Sequence, residues 1–176
     1  MKKRRVGKLI VYTAVLLLFV LGALIANNLL ERENILDRIS QLPDLEVKTL
    51  DEETFSTRDL NGENPALLIY FNTECIFCGQ MFEEILTDGQ LQQYVRLVFV
   101  SDEPPETVVE YRKKTGMDLT NEFVFLYDYD RQVRDFYGIR SVPATYLYTE
   151  KGELIRYYRG QVSVDELIGQ LQDVRE

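Results

Sequence analysis

Three hydrophobic patterns run along the 176-residue chain, and each predicts a different element. Leu9 to Leu30 contains no charged side chain over twenty-two residues. At a helical rise of about 1.5 Å per residue that stretch matches a hydrocarbon core of roughly 30 Å. Further on come short, continuous apolar runs. Ala66–Phe71, Val95–Ser101 and Glu122–Tyr127 read as strands buried on both faces, and Ala144–Thr149 and Glu153–Arg159 as strands joined by a Glu150-Lys-Gly hairpin. Between the runs the period changes to that of a helix. Phe77, Met81, Phe82, Ile85 and Leu86 share one helical face, and Gly89 is placed to end it. Pro104-Pro105 and Gly116 bracket a second helix, Asp130 to Gly138 a short third. Ser163-x-x-Glu166 is a capping box opening a last helix, with Leu167, Ile168 and Leu171 on one face. Strands alternating with helices, then a hairpin and a helix, predict an α/β domain with a central mixed sheet and helices on both faces.

Charge gives this order a direction. The chain carries 20 Lys+Arg and 29 Asp+Glu, a net −9. Five of the basic residues (Lys2, Lys3, Arg4, Arg5, Lys8) and no acid lie before residue 27, leaving 15 basic against 29 acidic, or −14, in the remainder. Basic residues beside an apolar span stay on the cytoplasmic side. The expected organisation is a cytoplasmic basic tail over 1–8, one transmembrane helix over 9–30, a linker or stalk over 31–43 and a globular domain over 44–176. The domain would face the periplasm or cell exterior, held by a single-pass anchor in a bacterial inner membrane. A cleaved signal peptide is the competing reading. It meets an obstacle in Leu24, which would occupy position −3 of a cut after Ala26, where a small residue is required. The acidic remainder argues against nucleic acid as a partner.

The chain has no histidine. Nucleophile–imidazole pairs, His-ligated zinc and His general bases are excluded. Its two cysteines are too few for a disulfide scaffold or a four-cysteine zinc site. They stand together, Cys75-Ile76-Phe77-Cys78, where the strand ending at Phe71 gives way to a helix. That spacing lets the two sulfurs close a disulfide. Cys75, at the helix N-terminus, has its thiolate stabilised by the helix dipole and free backbone N–H groups, which makes it the candidate nucleophile. Cys78, one turn in, is the candidate resolving thiol. Ile76 and Phe77 offer no hydrogen bond to a thiolate, which favours a reducing dithiol. A static structural disulfide and a two-thiolate Cu(I) site are the alternatives; a four-residue loop gains little from closure, and a metal would want further ligands.

A second motif follows. Phe-x-x-Asp-x-Asp-x-x-Val-x-x-x-Tyr-Gly-Ile-x-x-x-Pro-x-x-Tyr-Leu runs from Phe125 to Leu147, and Pro143 opens a strand. With ALLIYFNTECIFC, this resembles the thioredoxin-like superfamily, and within it the membrane-anchored, extracytoplasmic thiol–disulfide oxidoreductases of the TlpA/ResA type in the redoxin group. The resemblance covers about residues 44–176. It implies that Cys75 and Cys78 are the redox pair, that Pro143 is a cis-proline, and that the backbone at Val142 and Pro143 binds an extended substrate segment. It implies exchange with client proteins bearing thiols or disulfides, a membrane electron donor or acceptor, and no cofactor or metal. Departures from thioredoxin are Glu74 in place of the Trp before the first cysteine, and Ile69 in place of the buried Asp six residues before it. Glu74 and Glu83 are therefore candidate proton acceptors, while Glu103, Glu106 and Glu110 read as a solvated helix face. Phe71 and Tyr146 are a candidate apolar rim for a polypeptide substrate. The functional alternatives are a non-catalytic adaptor with a static disulfide, and a thiol peroxidase. The peroxidase would want Thr or Ser three residues before its cysteine, where Asn72 stands.

Overall fold

The computed structural model describes residues 15–27, 35–118 and 123–175. The chain divides into two compact units, Met1–Arg38 and Ile39–Glu176. In the first unit residues 15–27 are helical, with apolar side chains such as Leu17 and Phe19 exposed. No helix among the described residues is long and apolar enough to cross a membrane. The span expected over 9–30 extends past this helix at both ends, and residues 1–14 and 28–34 lie outside the described residues.

The second unit is a seven-stranded mixed sheet with helices on both faces. Its strands are β1 (Glu46–Thr49), β2 (Thr54–Ser56), β3 (Ala66–Tyr70), β4 (Arg96–Ser101), β5 (Val124–Tyr127), β6 (Ala144–Tyr148) and β7 (Leu154–Arg159). Their order across the sheet is β2-β1-β5-β4-β3-β6-β7. The helices are α1 (Ile76–Asp88), α2 (Leu91–Tyr94), α3 (Pro105–Thr115), α4 (Gln132–Tyr137) and α5 (Val164–Arg175), with a 3-10 turn at Thr57–Leu60.

The apolar runs become the central strands for the reason their pattern implies. β3 is buried at every position, between β4 running parallel and β6 running antiparallel. A strand covered on both faces must be apolar throughout. Alternate residues then divide between two layers. Leu67, Ile69 and Phe71 join Leu97, Phe99 and Leu147 beneath Cys78, Met81, Phe82 and Ile85 of α1, Val108 of α3 and Leu167 of α5. Phe71 sits at the middle of this layer, its ring edge-on to Phe82 at 5.2 Å and to Phe99 and Phe125 at 6.4 Å. Gly89, at φ 64°, ends α1 in the left-handed conformation that a residue without Cβ adopts freely.

The opposite layer is built from tyrosines. Tyr148 hydrogen-bonds the Ile39 carbonyl oxygen at 3.1 Å and shares a 3.0 Å hydrogen bond with the Tyr137 hydroxyl. The Tyr137 and Tyr146 rings lie 4.3 Å apart, and Tyr146 stacks on Tyr157. Burial pushes the Tyr146 hydroxyl up to about 12. These tyrosines pack across strands, as their spacing suggests. Residues 39–43, expected in the stalk, lie against the domain instead. Ile39 is buried, Leu42 N–H donates to the Gly152 carbonyl, and Gln41 bridges Glu153.

The edge hairpin β1–β2 escapes the hydrophobic pattern. Of its seven residues only Val47 is buried, so it shows neither an apolar run nor a clear alternation. It forms because β5 offers an open edge, pairing Lys48 with Tyr127 and Thr49 with Leu126.

One buried polar group organises the tyrosine layer. The fully buried Asp128 carboxylate accepts hydrogen bonds from the Tyr70 hydroxyl and from the backbone N–H groups of Val133 and Arg134, each at 3.0 Å. It ties the end of β3 to the start of α4. Burial raises its pKa, against the pull of the three donors. Asp128→Ala leaves those three donors without an acceptor, and a loss of about 2–4 kcal/mol is expected in urea unfolding. A carboxyl raised in the folded state binds its proton more tightly there than when unfolded. The wild-type contribution is therefore fully present below pH 3.8 and is lost as pH rises through the elevated value. Asp128→Asn should flatten that part of a stability–pH profile.

Candidate dithiol site

The site lies at the carboxyl ends of the parallel strands β3 and β4, where the chain leaves the sheet. Phe71 N–H still bonds the Val100 carbonyl, and the backbone then turns. Asn72 accepts from Glu74 N–H through its side chain and from Cys75 N–H through its carbonyl. This Asx turn delivers Cys75 to the N-cap of α1 in extended conformation, at φ −78° and ψ 110°. Cys75 caps the helix with sulfur: its Sγ accepts the Cys78 backbone N–H at 3.2 Å. A donor already aimed at this sulfur favours its thiolate.

Cys75 and Cys78 form a disulfide with Cα atoms 5.2 Å apart. Their surroundings differ. Cys75 is half-buried and Cys78 is fully buried in the apolar layer. An incoming group can therefore reach the first sulfur and not the second.

The other half of the site comes from the start of β6. The Val142–Pro143 peptide is cis, and the Cys75 sulfur lies 3.7 Å from the Val142 carbonyl oxygen. Sixty-seven residues of sequence separate the two, and the antiparallel pairing of Tyr70 with Ala144 closes that distance.

Glu103 is a feature the helical pattern hid. Expected on a solvated face, it folds back from the end of β4. Its carboxylate accepts from Thr73 N–H at 2.7 Å, from the Thr73 hydroxyl at 2.8 Å and from the Ser101 hydroxyl at 3.2 Å. Beside it Tyr111 of α3 reaches over Gly79, where a Cβ would come 3.6 Å from its hydroxyl. Burial and then the neighbouring Glu103 charge raise the Tyr111 pKa. The signal in the sequence was positional: Glu103 directly follows a strand parallel to the one that leads to the cysteines.

Two expectations need correction. Phe71 and Tyr146 are both buried, one in each core layer, so neither can rim the site. Exposed apolar surface lies instead between the cysteines, where Ile76 and Phe77 are 75% and 58% exposed. From Ile39 onward, Tyr129 alone joins them among strongly exposed large apolar side chains of the described residues. Glu74 and Glu83 are exposed as well, so neither shares the buried surroundings of Cys78. Among the described residues no three His, Cys, Asp or Glu side chains gather as metal ligands.

The thioredoxin-like domain family matches residues 52–175, which contain the disulfide, the cis-proline and the strands β2 to β7. The chain belongs to that family. Similar thioredoxin-like proteins include the thiol-disulfide oxidoreductase ResA of Oceanobacillus iheyensis, 28% identical over 98% of this chain and 92% of its own length. ResA of Bacillus subtilis is 26% identical over 93% of this chain and 90% of its own. Among solved structures, a secreted Mycobacterium tuberculosis disulfide oxidoreductase homologous to Escherichia coli DsbE aligns with a TM-score of 0.61 at 20% identity. It covers 78% of this chain and 98% of its own, a likeness of fold.

In this thioredoxin-like site Glu74 directly precedes Cys75, and a carboxylate near a sulfur disfavours its thiolate. Glu74→Lys in the reduced protein should lower the Cys75 pKa, by less than about one unit because the side chain is exposed. Iodoacetamide alkylation at neutral pH, followed by mass spectrometry, should accelerate accordingly.

Proposed function

We propose that this chain is a membrane-anchored, extracytoplasmic thiol–disulfide oxidoreductase that reduces disulfides in client proteins. The observation that carries the reading is the asymmetry of the cysteine pair. Cys75 is reachable, capped by the Cys78 N–H and set against the Val142 carbonyl, while Cys78 is buried behind it. The ResA relatives, which match nearly their full length, support the same reaction.

The exchange follows from that asymmetry. The Cys75 thiolate attacks one sulfur of a client disulfide, forming a mixed disulfide and releasing the client's other sulfur as a thiolate. The client segment lies along the backbone at Val142 and Pro143, with Ile76 and Phe77 as its apolar contact. Cys78 then loses its proton and attacks the Cys75 sulfur, releasing the second client thiol. Two electrons pass from the dithiol to the client, and the site is left as the Cys75–Cys78 disulfide. A dithiol donor at the membrane returns it to the reduced state. No cofactor takes part. Ile76 and Phe77 leave the thiolate without a polar neighbour in the loop, which favours work as a reductant.

The organisation that fits this reaction is a cytoplasmic tail over 1–8, an anchor over 9–30, a short linker from 31, and the catalytic domain, which residues 39–43 already join, held at the outer face of a bacterial inner membrane. The uncharged stretch and the basic residues before it support the anchor. The peroxidase alternative is weakened by the Thr73 hydroxyl, which is committed to Glu103 and not directed at the cysteine.

An insulin-disulfide reduction assay on the reduced chain tests the chemistry. Turnover is expected for the wild type, none for Cys75→Ser. Cys78→Ser should accumulate mixed disulfides with clients, separable on non-reducing gels. An inactive wild type, or an active Cys75→Ser, would overturn the reading, and an absence of trapped species would favour the static adaptor. For the anchor, the full chain should stay in the membrane pellet after an alkaline carbonate wash, and a chain lacking residues 1–30 should not.

A further inference from the structure

Among the described residues, two buried side-chain polar atoms have no hydrogen-bond partner: Arg112 Nε and Thr145 Oγ1. The Arg112 guanidinium is accounted for otherwise, since it lies over the Phe125 ring at 4.3 Å from the centroid. Thr145 has no such substitute. It is fully buried in the middle of β6. A buried hydroxyl without a partner carries the cost of its lost hydration, so its retention at such a position calls for a reason.

The sheet register locates it. Thr145 pairs directly with Ile69 of β3, and residues opposite one another in an antiparallel pair project to the same face. Leu147, two residues on, shares that face, and both Ile69 and Leu147 belong to the apolar layer that buries Cys78. Thr145 therefore sets a lone hydroxyl in the layer that holds the resolving cysteine. The residue opposite it, six before Cys75, is apolar here and offers no polar group. The acids Glu74 and Glu83 are exposed.

We propose that Thr145 is a positioning residue for Cys78, its hydroxyl hydrogen-bonding the Cys78 sulfur, directly or across one water, once the disulfide opens. The proposal rests on the exchange reaction assigned to Cys75 and Cys78. In the disulfide no acceptor, the Cys78 sulfur included, lies within hydrogen-bond reach of the hydroxyl; opening the disulfide frees that sulfur to turn toward it. Reduction puts a thiol in the apolar layer, and resolution of a mixed disulfide requires that thiol to become a thiolate there. A buried charge with no donor is strongly disfavoured; one hydroxyl donating to it lowers the barrier to the second exchange step. The hydroxyl does not take the proton, which leaves with the departing client thiolate or to solvent. The electron count of the exchange is unchanged.

Thr145→Val keeps the shape and removes the hydroxyl; Thr145→Ser keeps the hydroxyl. Two measurements are made on full-length chains: equilibration of the Cys75–Cys78 couple with dithiothreitol, and urea unfolding of the oxidised and the reduced protein. For Thr145→Val the oxidised form should unfold at the same or higher urea, the reduced form at lower urea, and the equilibrium should shift about three- to tenfold toward the disulfide. The pH midpoint for resolving a mixed disulfide should rise. Thr145→Ser should restore wild-type behaviour in all of them. Equal changes in both redox forms, with the dithiothreitol equilibrium and the pH midpoint unmoved, would reduce Thr145 to a packing residue and overturn the proposal. If Thr145→Val does not fold, Thr145→Ala serves the same comparison without added bulk. A wild type that fails to reduce insulin disulfides would strike the exchange reading itself; an active wild type matched by Thr145→Val in every redox measurement would strike only this proposal.

Discussion

The antiparallel pairing of β6 with β3 is the constraint on which the site depends. β3 delivers the cysteines, and β6 begins immediately after the cis-proline. Five residue pairs, from Ala66–Tyr148 to Tyr70–Ala144, set the two strands side by side. A slip of one residue would turn every β6 side chain to the opposite face. Thr145 would leave the layer of Cys78, and Tyr146 and Tyr148 would leave the tyrosine network for a layer of phenylalanines. Register is thus enforced from both sides at once, by burial of Leu147 in the apolar layer and by hydrogen bonding around Tyr148.

The two layers do different work. The phenylalanine layer is apolar and buried, and it encloses the second sulfur while the helix N-terminus holds the first near solvent. The tyrosine layer is polar and satisfied: Asp128, Tyr70, Tyr137 and Tyr148 meet one another's hydrogen-bonding needs away from water. Rigidity from that layer reaches the site through Tyr70, whose hydroxyl is tied to Asp128 at the same end of the sheet as the cysteines. Chemistry that depends on a sulfur a few ångströms from a particular carbonyl requires such backing.

Polarity near the dithiol is sparse. Glu103 spends its carboxylate on Thr73 and Ser101, and so shapes the turn before Cys75. Cys75 draws on the Cys78 N–H, and Cys78 is enclosed by apolar side chains. Exposed Ile76 and Phe77 extend apolar character to the surface, at the place where a polypeptide would approach.

Much of the fold was legible in the sequence. Buried strands and amphipathic helices carry periodicities that burial itself imposes, so β3 to β7 and α1, α3, α4 and α5 stand within a few residues of their predicted positions. The cysteine pair at a strand–helix junction was equally plain, because two residues three apart need no long-range information to meet. The hairpin β1–β2 was hidden, since an edge formed by backbone pairing leaves little mark on side-chain pattern. Phe71 and Tyr146 could not be assigned to core or rim from proximity in sequence; exposure is a property of what packs above a residue. Glu103 followed a helical pattern on paper and turned inward because three donors gather at the end of β4. The sequence alone determined the buried strands, the longer helices and the adjacent cysteine pair, all local. Only the tertiary structure decided that Val142 meets Cys75 and that Thr145 shares a layer with Cys78, because strand register is settled by packing on both faces of the sheet.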